Sequence, residues 1–260
     1  MKNINQEILY KITSLSFFIF ILVITFFIFK FLDILIFEFT RSFHGFIFLF
    51  FKKIIDPLSD IFDPINIIII CIILILLSFN IHYLLKNGVK LKLLEDKTGF
   101  DYKSIINSFE YYSLILKHFL WSIAVAGILL NVLKYIIGVA RPKYFFFEGY
   151  DRIDFFNLYH KTNSFPSGHT QAAFTLAILL IIYIKRYHFL ILFVACLMGI
   201  SRIFMSMHFP SDIFFGAYLG AVIPILLYKN YYKSKIEKYD DKKLACFNNF
   251  IKLIYWRIFI

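Results

Sequence analysis

Seven side chains and one glycine amide, in three parts of the chain, are able to do chemistry. His208 and Asp212 in "SMHFPSD" are four apart, close enough for the carboxylate to hold one ring nitrogen and leave the other as a nucleophile. In "NSFPSGHTQ", residues 163–171, Ser167 is placed to cap a helix. That leaves first-turn N–H groups aimed at an anion, and Gly168 permits its close approach. His169 follows in that first turn, where the helix dipole disfavours imidazolium and bound phosphate would restore it, as suits a general acid. Lys134 and Arg141 in "LKYIIGVARP" are seven apart, which predicts two helical turns and side chains leaving one face toward one anion. Pro142 is expected to stop that helix and fix where the Arg141 guanidinium points. Arg202 adds a third positive charge. Each piece also has a plainer account: a lysine near a helix end snorkels to headgroups, Pro-Ser-Gly makes ordinary loops, and a His–Asp pair ties down a helix end.

The elements that must position these residues are membrane spans. The 260 residues are 60% hydrophobic, 21% aromatic and 17% charged, against roughly 25% charged in a soluble domain. The chain is read as all-α, a polytopic membrane protein with six transmembrane helices at about 12–37, 64–85, 115–137, 169–184, 189–205 and 213–228. The first, after Lys2 and Lys11, exceeds a signal-peptide core and is expected to remain as an anchor. Spans four to six are short, which suits helices whose outer ends are buried in a polar pocket. Neither an internal repeat nor a low-complexity linker is visible. Cys71, Cys196 and Cys246 have no metal-ligand or disulfide spacing and read as packing residues.

Lysine and arginine set the orientation. The tail from Lys229 carries eight Lys/Arg against three acids, the 86–103 connection carries Lys86, Lys90, Lys92, Lys97 and Lys103, and the 184–189 turn reads "IKRYHF". A six-span count puts all three on one side with both termini, and the positive-inside tendency makes that side cytoplasmic. The net charge of +11 is then a topology and lipid-surface signal, with no call for nucleic acid. The 38–63, 138–168 and 203–212 connections, and the outer ends of helices 3–6 with the candidate site, face the periplasm or outside of a cell (inner) membrane. The closing "FNNFIKLIYWRIFI" puts Phe247, Phe250, Ile251, Ile254 and Ile258 on one helical face and reads as an interfacial helix. The domain division expected is a membrane domain over 1–228 and a basic tail over 229–260.

Lys134-x6-Arg141-Pro142, Pro166-Ser167-Gly168-His169 and Ser201-Arg202-x5-His208-x3-Asp212 together resemble the three signature motifs of the type-2 phosphatidic acid phosphatase, or lipid phosphate phosphatase, superfamily. The resemblance covers residues 115–228. It implies that His208 attacks phosphorus to form a phosphohistidine and that Asp212 orients it. It implies that His169 protonates the leaving group and then activates water, with neither metal nor cofactor. Lys134, Arg141, Arg202, Ser167 and the Gly168 amide would hold the phosphate oxygens, where phosphoryl transfer takes most of its electrostatic stabilisation.

The partner implied is a phosphorylated membrane lipid. Lipid A 1-phosphate, undecaprenyl diphosphate and phosphatidylglycerol phosphate are all compatible, since the motifs read phosphate and not lipid. The Ile, Lys, Asn and Phe bias suggests an AT-rich, bacterial genome. Soluble phosphoester chemistry, as in the acid phosphatases and vanadium haloperoxidases that share these motifs, fits six spans poorly. A transporter or scaffold that binds an anion or lipid without turnover is the alternative from another class, and it has no need of both a general acid and a His–Asp pair. His44, His82, His118 and His188 read as interfacial residues near span ends, and His160 as loop surface. Tyr144, Phe145 and Phe146 would line a substrate entry or anchor the loop at the interface.

Overall fold

A computed structural model describes residues 11–43, 45–61, 64–79, 88–157, 159–184, 186–240 and 242–259. Lys2, His44, His82 and Lys86 lie outside the described residues. Those described are overwhelmingly helical, with a single isolated bridge between Val139 and Ile153. Four stretches among them are long and apolar enough to cross a membrane: Leu15–Arg41 (α1), Phe46–Leu77, Tyr102–Ile137 (α2) and Pro210–Glu237. Lipid offers backbone groups no hydrogen-bond partners, so an apolar run of this length must satisfy its own N–H and C=O groups as helix. Gly168–Tyr183 (α3) and His188–Phe204 (α4) are also apolar but have 16 and 17 residues, shorter than the roughly 20 that span a bilayer. The fifth labelled helix, α5, is Pro210–Leu227.

The chain divides into two compact units. One comprises Ile67–Trp121 and Leu227–Ile260. Its core joins Leu94, Ile105, Phe109, Phe250 and Leu253, with Tyr112 stacked on Phe250 at 4.2 Å and its hydroxyl donating to the Ala245 carbonyl at 3.0 Å. The 86–103 connection holds a helix, Gly88–Thr98. The face expected to lie in the membrane interface is therefore partly covered by protein: Phe250 and Ile254 are buried, while Phe247 and Ile251 are exposed. His118 departs from the interfacial reading, being fully buried with its ring 4.6 Å from that of Tyr232. On a long helix, a histidine turned inward toward a tyrosine is indistinguishable in sequence from one turned outward toward headgroups.

The other unit comprises Asn3–Asn66 and Ser122–Leu226. The 38–63 stretch, expected as a connection, is largely helical: α1 continues to Arg41, and Phe46–Phe50, Phe51–Ile55 and Asp56–Ile61 follow one another without a break. Phe51 stacks on Phe204 at 4.3 Å, within a cluster that includes Ala173, Ala177, Ala195 and Met198. Between helices in lipid, close van der Waals packing replaces hydrophobic burial as the driving force, and small residues allow it. Gly216 and Gly220 of α5 face the backbone of Ser167 and Gln171, where an added Cβ would stand 2.8 and 2.3 Å from their carbonyl oxygens. The two glycines thereby let α5 lie directly against the start of α3.

Candidate active site

Helix α2 ends at Ile137 because Gly138 takes φ +60°, with room for no side chain: a Cβ would fall on the Asp154 carbonyl. The Asp154 N–H returns a bond to the Gly138 carbonyl at 2.8 Å. Arg141 therefore does not lie two helical turns beyond Lys134 on the same face, as its spacing suggested. It is extended (φ −70°, ψ 149°) and precedes a new helix, Pro142–Glu148, whose first residue is the proline expected to end the old one. Convergence survives by another route. Lys134 Nζ donates to the Asn163 carbonyl at 2.6 Å and Arg141 Nη2 to Asn163 Oδ1 at 2.9 Å, so one residue before the "PSGH" turn gathers both cations.

Ser167 stands at the N-cap position of α3, but its hydroxyl makes no bond to a first-turn N–H. It accepts from Thr170 Oγ1 at 2.9 Å, while the Ser167 N–H donates to the Asp212 carbonyl at 3.0 Å. A Cβ on Gly168 would meet Leu130 Cδ2 at 3.8 Å and no nearer atom, so the space beside this amide is open. His169 is partly exposed, with Nε2 3.8 Å from Asp60 Oδ1.

His208 and Asp212 are buried at the start of α5. Their separation, Nδ1 to Oδ2, is 3.6 Å, too long for the direct hydrogen bond the spacing implied. Ser164 lies between them: its hydroxyl donates to Asp212 Oδ2 at 2.5 Å and is 3.3 Å from His208 Nδ1. The Phe209 N–H also donates to Asp212 Oδ2, at 2.8 Å. Burial holds the His208 pKa well below the usual histidine range, and the charges of Lys134, Arg141, Arg202 and His169 lower it further. Its ring is thus a neutral imidazole in the field of three fixed cations, Lys134, Arg141 and Arg202, drawn from two distant segments.

Arg202, at the end of α4, is buried and ion-paired with Asp56, in a stretch where no functional role was expected. The Nε atoms of Arg141 and Arg202 are buried without a hydrogen-bond partner, as is Asp212 Oδ1. Two unpartnered guanidinium donors in a cationic pocket suit an oxyanion, which would supply the acceptors that the protein does not. Burial, followed by the charge of Arg202, also lowers the Arg141 pKa, the expected cost of crowding cations before an anion arrives.

Further residues hold the frame. Asp33, fully buried on α1 just after a π-helical turn at Ile28–Leu32, accepts from the Ser211 N–H at 2.8 Å, from the Ser211 hydroxyl at 2.6 Å, and from Arg152. It thereby caps α5 from another helix. Arg152 lies over the Phe209 ring at 3.4 Å. Arg41 donates to the Ile203 and Phe204 carbonyls at 2.6 and 2.8 Å, satisfying the C-terminal end of α4. Phe146 stacks on Phe37 at 4.9 Å and Phe145 packs in the same cluster, so both rings contribute to packing. His160 is exposed, as expected of a loop, and its Nδ1 lies 3.4 Å from Arg141 Nη2. An acid inside an apolar span is the sequence signal for Asp33. Asn163 and Ser164 carried no signal beyond adjacency to the "PSGH" turn.

Comparison with known proteins places these motifs. Residues 115–236 match the model of the PAP2 superfamily. The chain is 35% identical over 120 residues to a lipid A 1-phosphatase of Rhizobium johnstonii, covering 45% of this chain and 48% of that protein. It is 34% identical over 120 residues to the lipid A 1-phosphatase of Rhizobium etli, covering 45% and 50%. It is 30% identical over 104 residues to the bacitracin transport permease protein BcrC of Bacillus licheniformis, covering 40% and 51%. The chain thus spans about half the length of the curated relatives it matches. No solved structure matches it. Residues 115–236, the stretch that holds Lys134, Arg141, His169, Arg202, His208 and Asp212, are thus what this chain shares with the PAP2 superfamily.

Proposed function

We propose that this chain is a membrane lipid phosphatase that hydrolyses a phosphomonoester or diphosphate headgroup at the outer leaflet through a phosphohistidine. The observation that carries the reading is His208 itself: a buried imidazole under the charges of Lys134, Arg141 and Arg202, the two arginines having buried Nε donors without a partner. Lys134, Arg141, Arg202 and the Gly168 amide hold the phosphate oxygens, with Ser167 fixing the turn that presents the amide. His208 Nε2 attacks phosphorus, forming the N–P bond as the P–O bond to the lipid breaks. His169 gives its proton to the departing oxygen. Water then attacks phosphorus, His169 takes its proton, and the N–P bonding pair returns to Nε2 as phosphate leaves. No metal enters, because the fixed cations already oppose the developing charge.

Six membrane crossings are proposed, with α3 and α4 as the short pair. The ends of α2, α3, α4 and α5 that bear the site then share the outer side, opposite the basic turn at 184–189. A lipid diffusing in that leaflet reaches the site laterally. Two relatives named lipid A 1-phosphatase make the 1-phosphate of lipid A the first substrate to assay. Phosphate release by the purified chain from lipid A, undecaprenyl diphosphate and phosphatidylglycerol phosphate tests the reading. Release from at least one, abolished by His208→Ala, supports it, and release from none rejects it.

A further inference from the structure

The distance of 3.6 Å between His208 Nδ1 and Asp212 Oδ2 leaves the nucleophile without a direct partner to set its tautomer. Ser164 resolves this. It is fully buried, and its backbone N–H donates to the Val139 carbonyl at 2.8 Å, fixing the residue between the two side chains. A hydroxyl has one proton and two lone pairs. Three acceptors compete for that proton: Asp212 Oδ2 at 2.5 Å, the Met207 carbonyl at 3.3 Å and His208 Nδ1 at 3.3 Å. The short bond to a carboxylate is the strong one. Asp212 Oδ2 also receives the Phe209 N–H, so it acts as an acceptor from two sides. With its proton committed to Asp212, Ser164 Oγ can engage His208 only as an acceptor. Nδ1 must then carry the hydrogen, which leaves the Nε2 lone pair free.

We infer that Ser164 is a positioning residue for the nucleophile, a relay Nδ1–H to Oγ–H to Oδ2 that transmits the Asp212 carboxylate to His208 and fixes the tautomer able to attack. In this protein, Asp212 acts through Ser164. The relay would also draw charge from the imidazole as the N–P bond forms, so the loss of Ser164 falls on the phosphorylation step and not on lipid binding. The inference rests on the phosphatase reading for its kinetic consequence and on geometry alone for the tautomer.

The test uses the full chain in detergent micelles with dioctanoyl phosphatidic acid. Ser164→Ala is expected to lower kcat about 10- to 100-fold while KM stays within about threefold. Ser164→Thr, which keeps the hydroxyl, should recover most of the loss. The decisive comparison is made in the Asp212→Asn background, where Ser164→Ala should cost less than about threefold further, because residues acting as a unit are not additive. Multiplicative losses, or a Ser164→Ala rate within twofold of wild type, overturn the relay. Where Ser164→Ala fails to accumulate, Ser164→Cys enters the same comparison with the same outcomes. A readout independent of turnover is nitrogen NMR of histidine-labelled protein, with His208→Gln identifying the signal. His208 should be the Nδ1–H tautomer in wild type and a mixture in Ser164→Ala, and an unchanged tautomer in the variant defeats the relay. A wild type that releases no phosphate from any lipid defeats the phosphatase reading instead, leaving the tautomer measurement to judge Ser164.

Discussion

Arg202 of α4 is ion-paired with Asp56, 146 residues earlier, while its Nε remains buried without a partner. The carboxylate balances a guanidinium inside the membrane-protein interior and leaves one donor for an anion. Asp56 is only half-buried, but removing its carboxylate leaves the charge of the buried Arg202 without its protein partner. Asp56→Asn should therefore lower the melting temperature of the anion-free protein. Orthovanadate, a phosphate-like anion, supplies the missing countercharge. Its stabilising shift should be larger in Asp56→Asn than in wild type, as read by thermal unfolding in detergent. An equal or smaller shift would show that Asp56 and the anion do not share Arg202.

Packing of α5 against α3 rests on Gly220, where an added Cβ would stand 2.3 Å from the Gln171 carbonyl oxygen and 3.0 Å from Phe174 Cβ. Gly220→Ala should cost about 1–3 kcal/mol by overpacking and reduce phosphatase activity, because it separates the two segments that carry His169 and His208. Gly127, inside α2 with nothing within 4 Å of its added Cβ, is the matched control. Gly127→Ala should leave activity intact and stabilise by about 0.5–1 kcal/mol through helix propensity. Equal behaviour of the two variants in unfolding and turnover would contradict the packing account.

How much of this was legible in the sequence depends on the residue type. His169, Arg202, His208 and Asp212 were readable because charged and titratable groups are costly in an apolar chain and stand out at fixed spacing. The seven-residue spacing of Lys134 and Arg141 reads as two helical turns, but the chain turns at Gly138, and the two side chains meet at Asn163 instead. Asp33 was absorbed into an apolar span. Lys52, Lys53, Asp56 and Pro57 interrupt the hydrophobic run and read as a connection, so nothing in the sequence marks Asp56 as a partner of Arg202, although the structure keeps the stretch helical. Ser164 could not be found from spacing, because its role lies in three-dimensional contact with residues 44 and 48 positions later.

The pH dependence follows from the depressed His208 pKa. Attack requires the neutral ring, and burial with the surrounding cations keeps it neutral to lower pH than an ordinary histidine. After allowance for the substrate's own second ionisation, the acid limb of kcat/KM should fall below the usual value of about 6.5. Arg141→Gln removes one positive neighbour, so the limb should move to higher pH even as activity drops. A wild-type limb at the ordinary histidine value, or a shift to lower pH in Arg141→Gln, would contradict the electrostatic picture.

Orientation is tested by labelling single cysteines in intact cells with a membrane-impermeant reagent. Cys196 and Cys246 are exposed, so all three native cysteines are first replaced by serine. Asn157→Cys, on the site side, should be modified, and Asn248→Cys, in the basic tail, should not. Labelling of Asn248→Cys alone would invert the proposed topology.

The central claim is that His208 carries the phosphoryl group, and trapping that intermediate tests it most directly. Rapid acid-free quench of the purified chain with radiolabelled lipid phosphate should yield a phosphoprotein that is stable in base and lost in acid. His208→Ala should form none and lose at least about a thousandfold in turnover, by analogy with other activated nucleophiles, while still binding lipid through Lys134, Arg141 and Arg202. Labelled phosphoprotein persisting in His208→Ala, or phosphate release by that variant at the wild-type rate, would contradict the account and return the anion-binding scaffold to consideration.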